Sequence, residues 1–324
     1  MKPARKWLWI TDPWSTLDHP NDTTLRLAEA AIQLGVESHW CDFKSIRVCP
    51  DGAVRLDSHK LKFPALRSPT SKSASFQIKA FDQIHYRVDP PVDLSYLHPL
   101  QMLRIADQSY SKQRRPEFVN PLSLLMNASE KLEAHLLPKR WRPAMVVSSQ
   151  QTTLLEFGRA EKIVVLKPMH TAQSKGVTRL EFRTPAQIRK SLAALDAITF
   201  GFQQPVVLQR YLPGIRKTGE VRIWFADGVA VASVLKIPSP DTFRIDMDHG
   251  STLASVRTAP PQFRRLVANA SQAIGRLLRK IGARLAAVDL IDGRVTDFNI
   301  TSPGLLVGME KTLETNLASR VVEI

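Results

Sequence analysis

Three oxygen-bearing side chains near the C-terminal end carry the pattern best suited to chemistry: Asp289, and then Asp297 and Asn299. Residues two apart on a strand project to the same face, so Asp297 and Asn299 are expected to point together. Carboxylate and amide oxygens suit a hard cation such as Mg²⁺, especially when substrate phosphates complete its shell. The spacing alone also fits ordinary solvated strand residues. Asp289, however, interrupts an apolar run, and a buried carboxylate needs a partner.

A hairpin turning at Asp292-Gly293 must position these side chains. A strict two-residue loop would pair Asp289 with Thr296 and leave Asp297 on the opposite face. A three-residue loop, with Gly293 in a bulge of positive φ, would pair Asp289 with Asp297 instead. We predict the second arrangement, in which the two carboxylates share a face.

Upstream of the hairpin, hydrophobic spacing predicts an α/β N-terminal domain. A buried strand is predicted at 7–11, a helix capped by Asp22 and ended by Gly35 follows it, and a second strand is predicted at 36–43. Strand, helix and strand in this order make a β-α-β unit, which favours a parallel sheet. Residues 50–80 are polar and contain prolines, so we expect loop and edge structure there.

The rest of the chain is richer in short strands. Strand candidates lie at 81–86, 163–166, 206–208, 221–225, 229–235, 285–290 and 294–300. Helical segments are predicted at 185–195, 260–281 and 120–137, the last with Asn127 or Ser129 as a cap. Antiparallel strands with helices on one side indicate an α+β second half, so the fold class is multidomain, α/β followed by α+β.

The 324 residues, with 44% hydrophobic and 23% charged side chains, suit a folded protein of two or three packed subdomains. No run of about 18 or more apolar residues occurs, and Asp12-Pro13 breaks the first apolar stretch. We therefore expect neither a secretory leader nor a membrane span. Cys41 and Cys49 are the only cysteines and lack the paired spacing of a zinc site, which favours a reducing, cytoplasmic compartment.

The net charge of +15 is the unusual bulk property of the chain. A field of this sign attracts nucleic acid, anionic lipid or polyphosphate ligands. Lysine and arginine are nevertheless spread along the chain, without a block of like charges and without an RNA-binding or zinc-finger signature. We expect a basic surface and neither a nucleic-acid nor a membrane partner.

The hairpin sequence, residues 287–291 followed by 294–303, closely resembles the metal-binding hairpin of bacterial glutathione synthetases. Asp297 stands where that family has glutamate. Further landmarks follow the family's order at similar separations: residues 86–91, 119–121, 130–132, 166–168 and 209–213. The resemblance covers nearly the whole chain, and the hairpin is its most specific part.

This resemblance implies an ATP-grasp fold with an N-terminal α/β (pre-ATP-grasp) domain. It implies three units: residues 1–120 as the N-terminal domain, 121–200 as a central subdomain with the phosphate lid, and 201–324 as a C-terminal subdomain with the metal-binding hairpin. In the implied reaction a carboxylate attacks the γ-phosphate of ATP, and an amine converts the acylphosphate to an amide. Mg²⁺ or Mn²⁺ would be the cofactor, and catalysis would rest on positioning and charge neutralisation.

The resemblance also implies roles for individual residues. Arg222 would stabilise the transferred phosphoryl group or the acylphosphate. ATP would be bound by Lys131, Lys167, Gln209, Arg210, Tyr211 and Leu212. The substrates would be bound by Arg87, Lys236, Arg244 and Ser302. The metal would be held by Asp289, Asp297 and Asn299.

Two loops depart from the family's pattern. The family's glycine-rich lid over the phosphates is replaced at 169–176 by a stretch in which only Gly176 remains, although Lys175 could supply charge there. The family's longer glycine-rich substrate loop is replaced at 238–250. His170 and His249 lie in these loops, and we expect neither to act in catalysis.

Three functions remain open from the sequence. The first is a ligase of the glutathione synthetase type, acting on γ-glutamylcysteine and glycine. The second is the same chemistry with another carboxylate or amine. The third is a non-catalytic nucleotide-binding or nucleic-acid-associated protein. The joint presence of the implied site residues argues against this third function. The expected partners are ATP and small peptide or amino-acid substrates. A homo-oligomer is left open, since the family commonly forms symmetric oligomers.

Overall fold

The computed structural model describes residues 5–62, 73–169 and 176–323, which form three β-sheets with helices packed on them. The first sheet is built from β1 Lys6–Thr11, β2 Glu37–Asp42, β3 Arg47–Val48, β4 Val54–Lys60, β5 Ala74–Phe76, β6 Gln83–Tyr86 and β7 Glu117–Val119. Its helices are α1 Thr23–Gln33 and α2 Leu94–Ser109. Strands β2, β1, β6 and β7 are parallel neighbours, whereas β3, β4 and β5 add an antiparallel edge.

The predicted β-α-β unit is confirmed in this sheet. Asp22 caps α1 by accepting a hydrogen bond from the Leu25 backbone N at 2.8 Å, and β1 and β2 pair in parallel. Within the described part of residues 50–80, β4 and β5 do form the edge of the sheet, but the expectation of loop is wrong for β4, which alternates buried and partly exposed residues along most of its length. Helix α2, with Pro99 inside it, was not predicted.

The second sheet is antiparallel, in the order β10-β9-β11-β8. Its strands are β8 Met145–Ser148, β9 Ile163–Pro168, β10 Thr178–Glu181 and β11 Val206–Arg210. Helices α4 Gln151–Glu161 and α5 Pro185–Thr199 pack on this sheet, whereas α3 Leu122–Asn127 places Leu122 and Leu125 in the core of the first sheet, and the short α6 Gly214–Lys217 follows β11. Neither Asn127 nor Ser129 caps a helix as predicted, because α3 starts after Pro121 and ends at Asn127. Helices α4 and α6 and strands β8 and β10 were not predicted.

The third sheet carries the hairpin and is also antiparallel, in the order β14-β13-β12-β15-β16. Its strands are β12 Glu220–Ala226, β13 Val229–Ile237, β14 Thr252–Ser255, β15 Leu285–Ile291 and β16 Arg294–Asn299, and its helices are α7 Pro261–Ile281, α8 Leu306–Leu313 and α9 Leu317–Val322. The predicted helix at 260–281 is confirmed as α7. No helix in the described part of the chain is long and apolar enough to cross a membrane.

The hydrophobic cores show how these parts are joined. One core contains residues of β1 and α1 together with residues of β12, β15, α8 and α9, so the first and third sheets share it. The second sheet has a core of its own. Because β11 pairs with β8 and β9, we propose that the central subdomain extends through β11 rather than ending at residue 200.

Candidate active site

The β15–β16 hairpin brings two predicted carboxylates together. Its turn residues Asp292 and Gly293 both have positive φ, 51° and 70°, as a tight two-residue hairpin turn requires. A bulge makes Thr296 an extra residue on β16, so that Asp289 pairs with Asp297. The predicted pairing of Asp289 with Asp297 is therefore confirmed. The predicted three-residue loop is wrong, because the bulge and not the turn shifts the register.

A cleft of about 700 Å³ takes its walls from all three parts of the chain. All but one of the predicted site residues line it: Lys131, Lys167, Gln209, Arg210, Tyr211, Leu212, Arg222, Lys236, Arg244, Asp289, Asp297, Asn299 and Ser302. Other polar residues of the wall were not predicted as site residues: Asp18, Asp89, Glu130, Glu220, Asp246, Asp248, His249, Thr296 and Thr301.

Arg87 is the predicted residue that does not line the cleft. Its side chain is buried, and it donates hydrogen bonds from Nε to Thr24 Oγ1 at 2.9 Å and from a guanidinium nitrogen to the Pro303 carbonyl at 2.8 Å. Burial lowers the pKa of Arg87 to about 10. In this structure Arg87 holds the segment that follows β16, and its predicted role in substrate binding stays a prediction.

Asp289 is enclosed by the cations of neighbouring strands. Arg222 Nε lies 2.9 Å from one carboxylate oxygen and its terminal nitrogen lies 2.6 Å from the other, while Lys236 Nζ lies 2.9 Å away. Lys236 also pairs with Glu220. Burial opposes the charge on Asp289, but the two cations outweigh it and hold its pKa below the ordinary value. Burial raises the pKa of Glu220, and the charge on Asp289 adds to that effect.

Asp297 and Asn299 differ from Asp289 in having uncommitted oxygens. Asp297 Oδ1 is buried with no hydrogen-bond partner. Asn299 uses its amide nitrogen, which donates to the Ala287 carbonyl at 3.1 Å and to Asp289 Oδ2 at 3.4 Å. A buried carboxylate oxygen without a partner fits a cation, since leaving it unpaired costs free energy.

The protein alone does not complete a cation site. Within the described residues, no group of three or more His, Cys, Asp or Glu side chains could hold a metal ion. Asp289 would join Asp297 and Asn299 only by giving up contacts with Arg222 or Lys236. The donor set therefore fits a hard cation that brings phosphate oxygens with it.

Three predicted ATP ligands lie along the wall formed by the second sheet and the segment before it. Lys167, on β9, donates from Nζ to the Thr296 carbonyl at 2.6 Å and so links the second sheet to the hairpin bulge. Lys131 and Gln209 are buried. A lysine held in a cleft supplies a compact charge that suits a phosphate group.

Tyr211 and Arg210 contribute to the cleft in different ways. The Arg179 guanidinium lies 5.2 Å from the centre of the Tyr211 ring, and the Phe243 ring packs edge-on at 6.0 Å. The Arg210 side chain is exposed and forms a bidentate ion pair with Glu161. The Arg210 side chain is therefore committed to Glu161, while Tyr211 offers an apolar ring to the cleft.

The substituted loop at 238–250 forms part of the cleft wall. Arg216 anchors it by donating to the Pro240 carbonyl at 2.6 Å. Asp246 and His249 form an ion pair at 2.8 Å, and a hydrogen bond with Asp246 raises the pKa of His249. His249 lines the cleft, and the expectation that it does not act in catalysis stays a prediction.

The other substituted loop cannot be compared in this way. Residues 170–175 lie outside the described residues, so the expectations for the phosphate lid, His170 and Lys175 stay predictions.

Two stretches of this chain match the domains of one known protein family. Residues 130–314 match the prokaryotic glutathione synthetase ATP-grasp domain, and residues 6–113 match the prokaryotic glutathione synthetase N-terminal domain. The chain belongs to the prokaryotic glutathione synthetase family. It is thus an ATP-dependent ligase of the ATP-grasp type, and the multidomain fold class is confirmed.

Two curated glutathione synthetases show matches along almost their whole length. The glutathione synthetase of Parasynechococcus marenigrum is 29% identical over 318 residues, 98% of this chain and 97% of the relative. That of Prochlorococcus marinus is 26% identical over 319 residues, 97% of this chain and 96% of the relative.

Solved structures agree on the fold. A D-cycloserine synthetase superimposes with a TM-score of 0.64 at 18% identity, over 98% of this chain and 99% of the other. The D-alanyl-alanine synthetase A of Vibrio cholerae superimposes with a TM-score of 0.60 at 12% identity, over 99% of each chain. These likenesses establish an ATP-grasp architecture for this glutathione synthetase family member.

Six acidic residues of the cleft wall were missed from the sequence: Asp18, Asp89, Glu130, Glu220, Asp246 and Asp248. Glu220 opens β12 two residues before Arg222, so their shared face could have been inferred from strand spacing. Glu130 stands beside Lys131, and Asp89 lies two residues after Arg87 in a landmark of the family. The sequence around Glu130 and around Asp89 gives no sign that either side chain faces residues remote in the chain.

Proposed function

We propose that this enzyme joins the carboxylate of γ-glutamylcysteine to the amine of glycine at the expense of ATP, with Mg²⁺ (or Mn²⁺) as the cation. The observation that carries the proposal is the convergence of Lys131, Lys167, Arg222, Asp297 and Asn299 in one cleft. Near full-length similarity to glutathione synthetases supports the choice of substrates. Since Cys41 and Cys49 are free thiols, we place the reaction in the cytoplasm.

The proposed chemistry needs charge neutralisation more than a protein nucleophile. The substrate carboxylate forms a bond to the γ-phosphorus while the bond to the ADP oxygen breaks, and the amine then attacks the acyl carbon and releases phosphate. Lys131 and Lys167 would hold the phosphates in line for this transfer. Arg222, whose fork already fits a carboxylate, would stabilise charge on the transferred group.

Asp297 and Asn299 would hold the cation together with the phosphates. When bound, that cation would neutralise phosphate charge as the transfer proceeds. Glu220 would keep Lys236 in place beside Asp289, because its carboxylate pairs with the Lys236 ammonium.

The test is an assay of purified protein with ATP, Mg²⁺, γ-glutamylcysteine and glycine, monitored for ADP and for the tripeptide. We expect ADP and tripeptide in equal amounts, and no ADP when either substrate is omitted. ADP release with a different carboxylate or amine only would reject glutathione as the product and keep the ligase chemistry. Absence of ADP release across a substrate panel would reject the proposal as a whole.

A second candidate, the same ligation with another substrate, is favoured by the loop at 238–250. This loop places Phe243, Ile245 and Met247 in the cleft wall where the family has a glycine-rich segment. Glycine needs no side-chain pocket, whereas apolar wall residues suit a larger substrate. The substrate panel should therefore include alanine, serine and small apolar amines beside glycine.

A further inference from the structure

The segment that leaves β16, residues 300–304, is held by side chains that are remote in sequence; we call it the exit segment. Asn120 donates to the Ile300 carbonyl at 2.7 Å, Arg87 donates to the Pro303 carbonyl, and Trp224 Nε1 donates to the Gly304 carbonyl at 3.0 Å. Asn120 also bonds the other hairpin strand, at the Leu285 backbone N and carbonyl. The exit segment starts directly after Asn299, so its position determines where the cation ligands stand.

Glu130 holds this region through several hydrogen bonds to its side chain and backbone. One carboxylate oxygen, Oε1, accepts hydrogen bonds from the Ile300 backbone N at 2.6 Å and from the backbone N and hydroxyl of Thr301, both at 2.9 Å. The Glu130 backbone carbonyl accepts from the Phe298 N at 3.1 Å. Glu130 therefore bonds to the residues on both sides of Asn299.

These bonds reach the end of a strand where ladder pairing stops. The β15–β16 ladder ends with the pair Ala287–Asn299, so the backbone beyond it needs other partners. A backbone held on both sides cannot rotate to turn Asp297 or Asn299 out of the cleft.

We propose that Glu130 is a positioning residue, which fixes Asp297 and Asn299 for the cation that accompanies the nucleotide. The inference rests on the proposed function, because it takes Asp297 and Asn299 as cation ligands. Removing a side chain that orients the ligands of a metal weakens the binding of that metal by about 10- to 100-fold. Glu130 differs from such a side chain in acting through the backbone of the ligand-bearing strand.

The test is the binding of Mn²⁺ to the full-length protein in the presence of ADP, measured by the loss of the free Mn²⁺ signal in electron paramagnetic resonance. Glu130→Ala is expected to weaken Mn²⁺ binding by about 10- to 100-fold. Glu130→Asp, which withdraws the carboxylate by one methylene, is expected to weaken it as well. Glu130→Gln keeps an acceptor oxygen at full reach and should bind Mn²⁺ within a few-fold of wild type.

Glu133→Ala is the matched control, because Glu133 lies in the same segment but outside the cleft wall. It should bind Mn²⁺ as wild type does, and ADP binding without metal should be unchanged in every variant. A Glu130→Ala protein of lower thermal stability with wild-type Mn²⁺ affinity would reduce Glu130 to a fold anchor and overturn the proposal. Weak binding by Glu130→Gln with normal binding by Glu130→Asp would also overturn it, since charge and not position would then decide.

The titration separates this proposal from the substrate assignment. It contains no carboxylate or amine substrate, so its outcome is independent of whether glutathione is the product. Wild-type protein that binds no Mn²⁺ with ADP would overturn the assignment of Asp297 and Asn299 as cation ligands, and the role of Glu130 with it.

Discussion

Two aspartates that face each other across one hairpin have opposite environments. Asp289 is saturated by Arg222 and Lys236, whereas Asp297 retains a buried oxygen without a partner. Asp289 therefore holds the side chains of Arg222 and Lys236, and Asp297 is the carboxylate available to a bound metal cation. Sequence spacing alone treats the two residues as equivalent.

Replacing Asp297 tests that division of roles. Asp297→Asn removes the charge but keeps the shape. We expect ADP formation to fall by about 100-fold or more, since removing a side chain that only orients a metal ligand already lowers metal affinity or activity by about 10- to 100-fold. Folding stability should stay equal or rise, because an unpaired buried carboxylate is removed. A coupled assay for ADP and urea unfolding measure the two effects.

Asp292→Asn is the control for this substitution, because Asp292 sits in the hairpin turn outside the cleft wall and asparagine tolerates its positive φ. Turnover by Asp292→Asn should match wild type. An Asp297→Asn enzyme as active as Asp292→Asn would remove Asp297 from the site.

The pH dependence of stability should report the burial of Glu130. Burial raises the pKa of this carboxyl above its ordinary 4.5, and the charge of Asp297 adds to the effect. Its contribution to stability is therefore complete below about pH 4.5 and is lost as the pH rises through the folded pKa. Glu130→Gln cannot ionise. We expect the free energy of unfolding of wild type, relative to Glu130→Gln, to fall as the pH is raised from 4 to 7.5.

Urea unfolding of both proteins across this range measures the difference. A relative stability that is constant, or that increases with pH, would contradict the raised pKa of Glu130.

At the scale of elements, the hairpin shows what a local pattern can and cannot predict. The strands, the turn and the pairing of Asp289 with Asp297 were predicted from the sequence. The predicted turn size was wrong, because the extra residue is Thr296 within β16, which is buried and donates from its hydroxyl to the Asp289 carbonyl at 3.2 Å. No sequence pattern marks a buried threonine as a bulge.

The missed elements have similar explanations. Helix α2 spaces Tyr96, Leu100 and Leu103 as a helix should, but Pro99 lies between them and indicates a break. Strand β4 is stabilised by pairing with β2 and β5 on either side, in a stretch whose polar composition favours loop. In β4, tertiary pairing overrides the local preference for loop.

Gly293 links the hairpin to α7, and its replacement tests that packing. A Cβ at Gly293 would lie 2.7 Å from the Leu266 side chain, and φ is +70°. We expect Gly293→Ala to lower the free energy of unfolding by about 2–4 kcal/mol, from backbone strain together with overpacking. Gly282→Ala at φ +78° meets no atom within 4 Å, so it should cost only the strain, about 1–2 kcal/mol.

Urea unfolding of the two variants gives both numbers, and their difference isolates the contact of the hairpin tip with α7. Equal losses would show that Leu266 moves aside without cost.

At the scale of the whole molecule, the cleft depends on contacts that join distant parts of the chain. Asn120 bonds β15 and the exit segment, Lys167 bonds the bulge, and Arg87 bonds the exit segment. The sequence predicted the residues of the third sheet well because a two-residue period places them. It could not show that Glu130 and Asp89 face that hairpin, since no local period relates separate sheets.

Glu310 holds the C-terminal helices to α1 and so tests the shared core. It forms an ion pair with Arg26, and it accepts from the Leu317 and Ala318 backbone nitrogens at the start of α9. We expect Glu310→Ala to lower the free energy of unfolding by about 2–4 kcal/mol, because a partly buried cation and a helix start lose their partner together. Hydrogen exchange should rise in α1, α8 and α9 alike, and not in the second sheet.

Arg47→Ala is the control, since it removes an exposed bidentate ion pair with Asp57. It should change stability by about 1 kcal/mol or less. Faster exchange confined to α9 in Glu310→Ala would show that the three helices do not open as a unit.

The shared core of the first and third sheets also has a consequence for biosynthesis. Arg26 and Glu310 are separated by 284 residues, so at roughly 5–20 residues per second the ribosome delivers the second about 15 to 60 s after the first. During that interval Trp7, Trp9 and Leu27 lack the neighbours that bury them in the finished protein. Nascent chains of this enzyme should therefore need chaperone cover until α8 and α9 have emerged, and the catalytic cleft is among the last features to form.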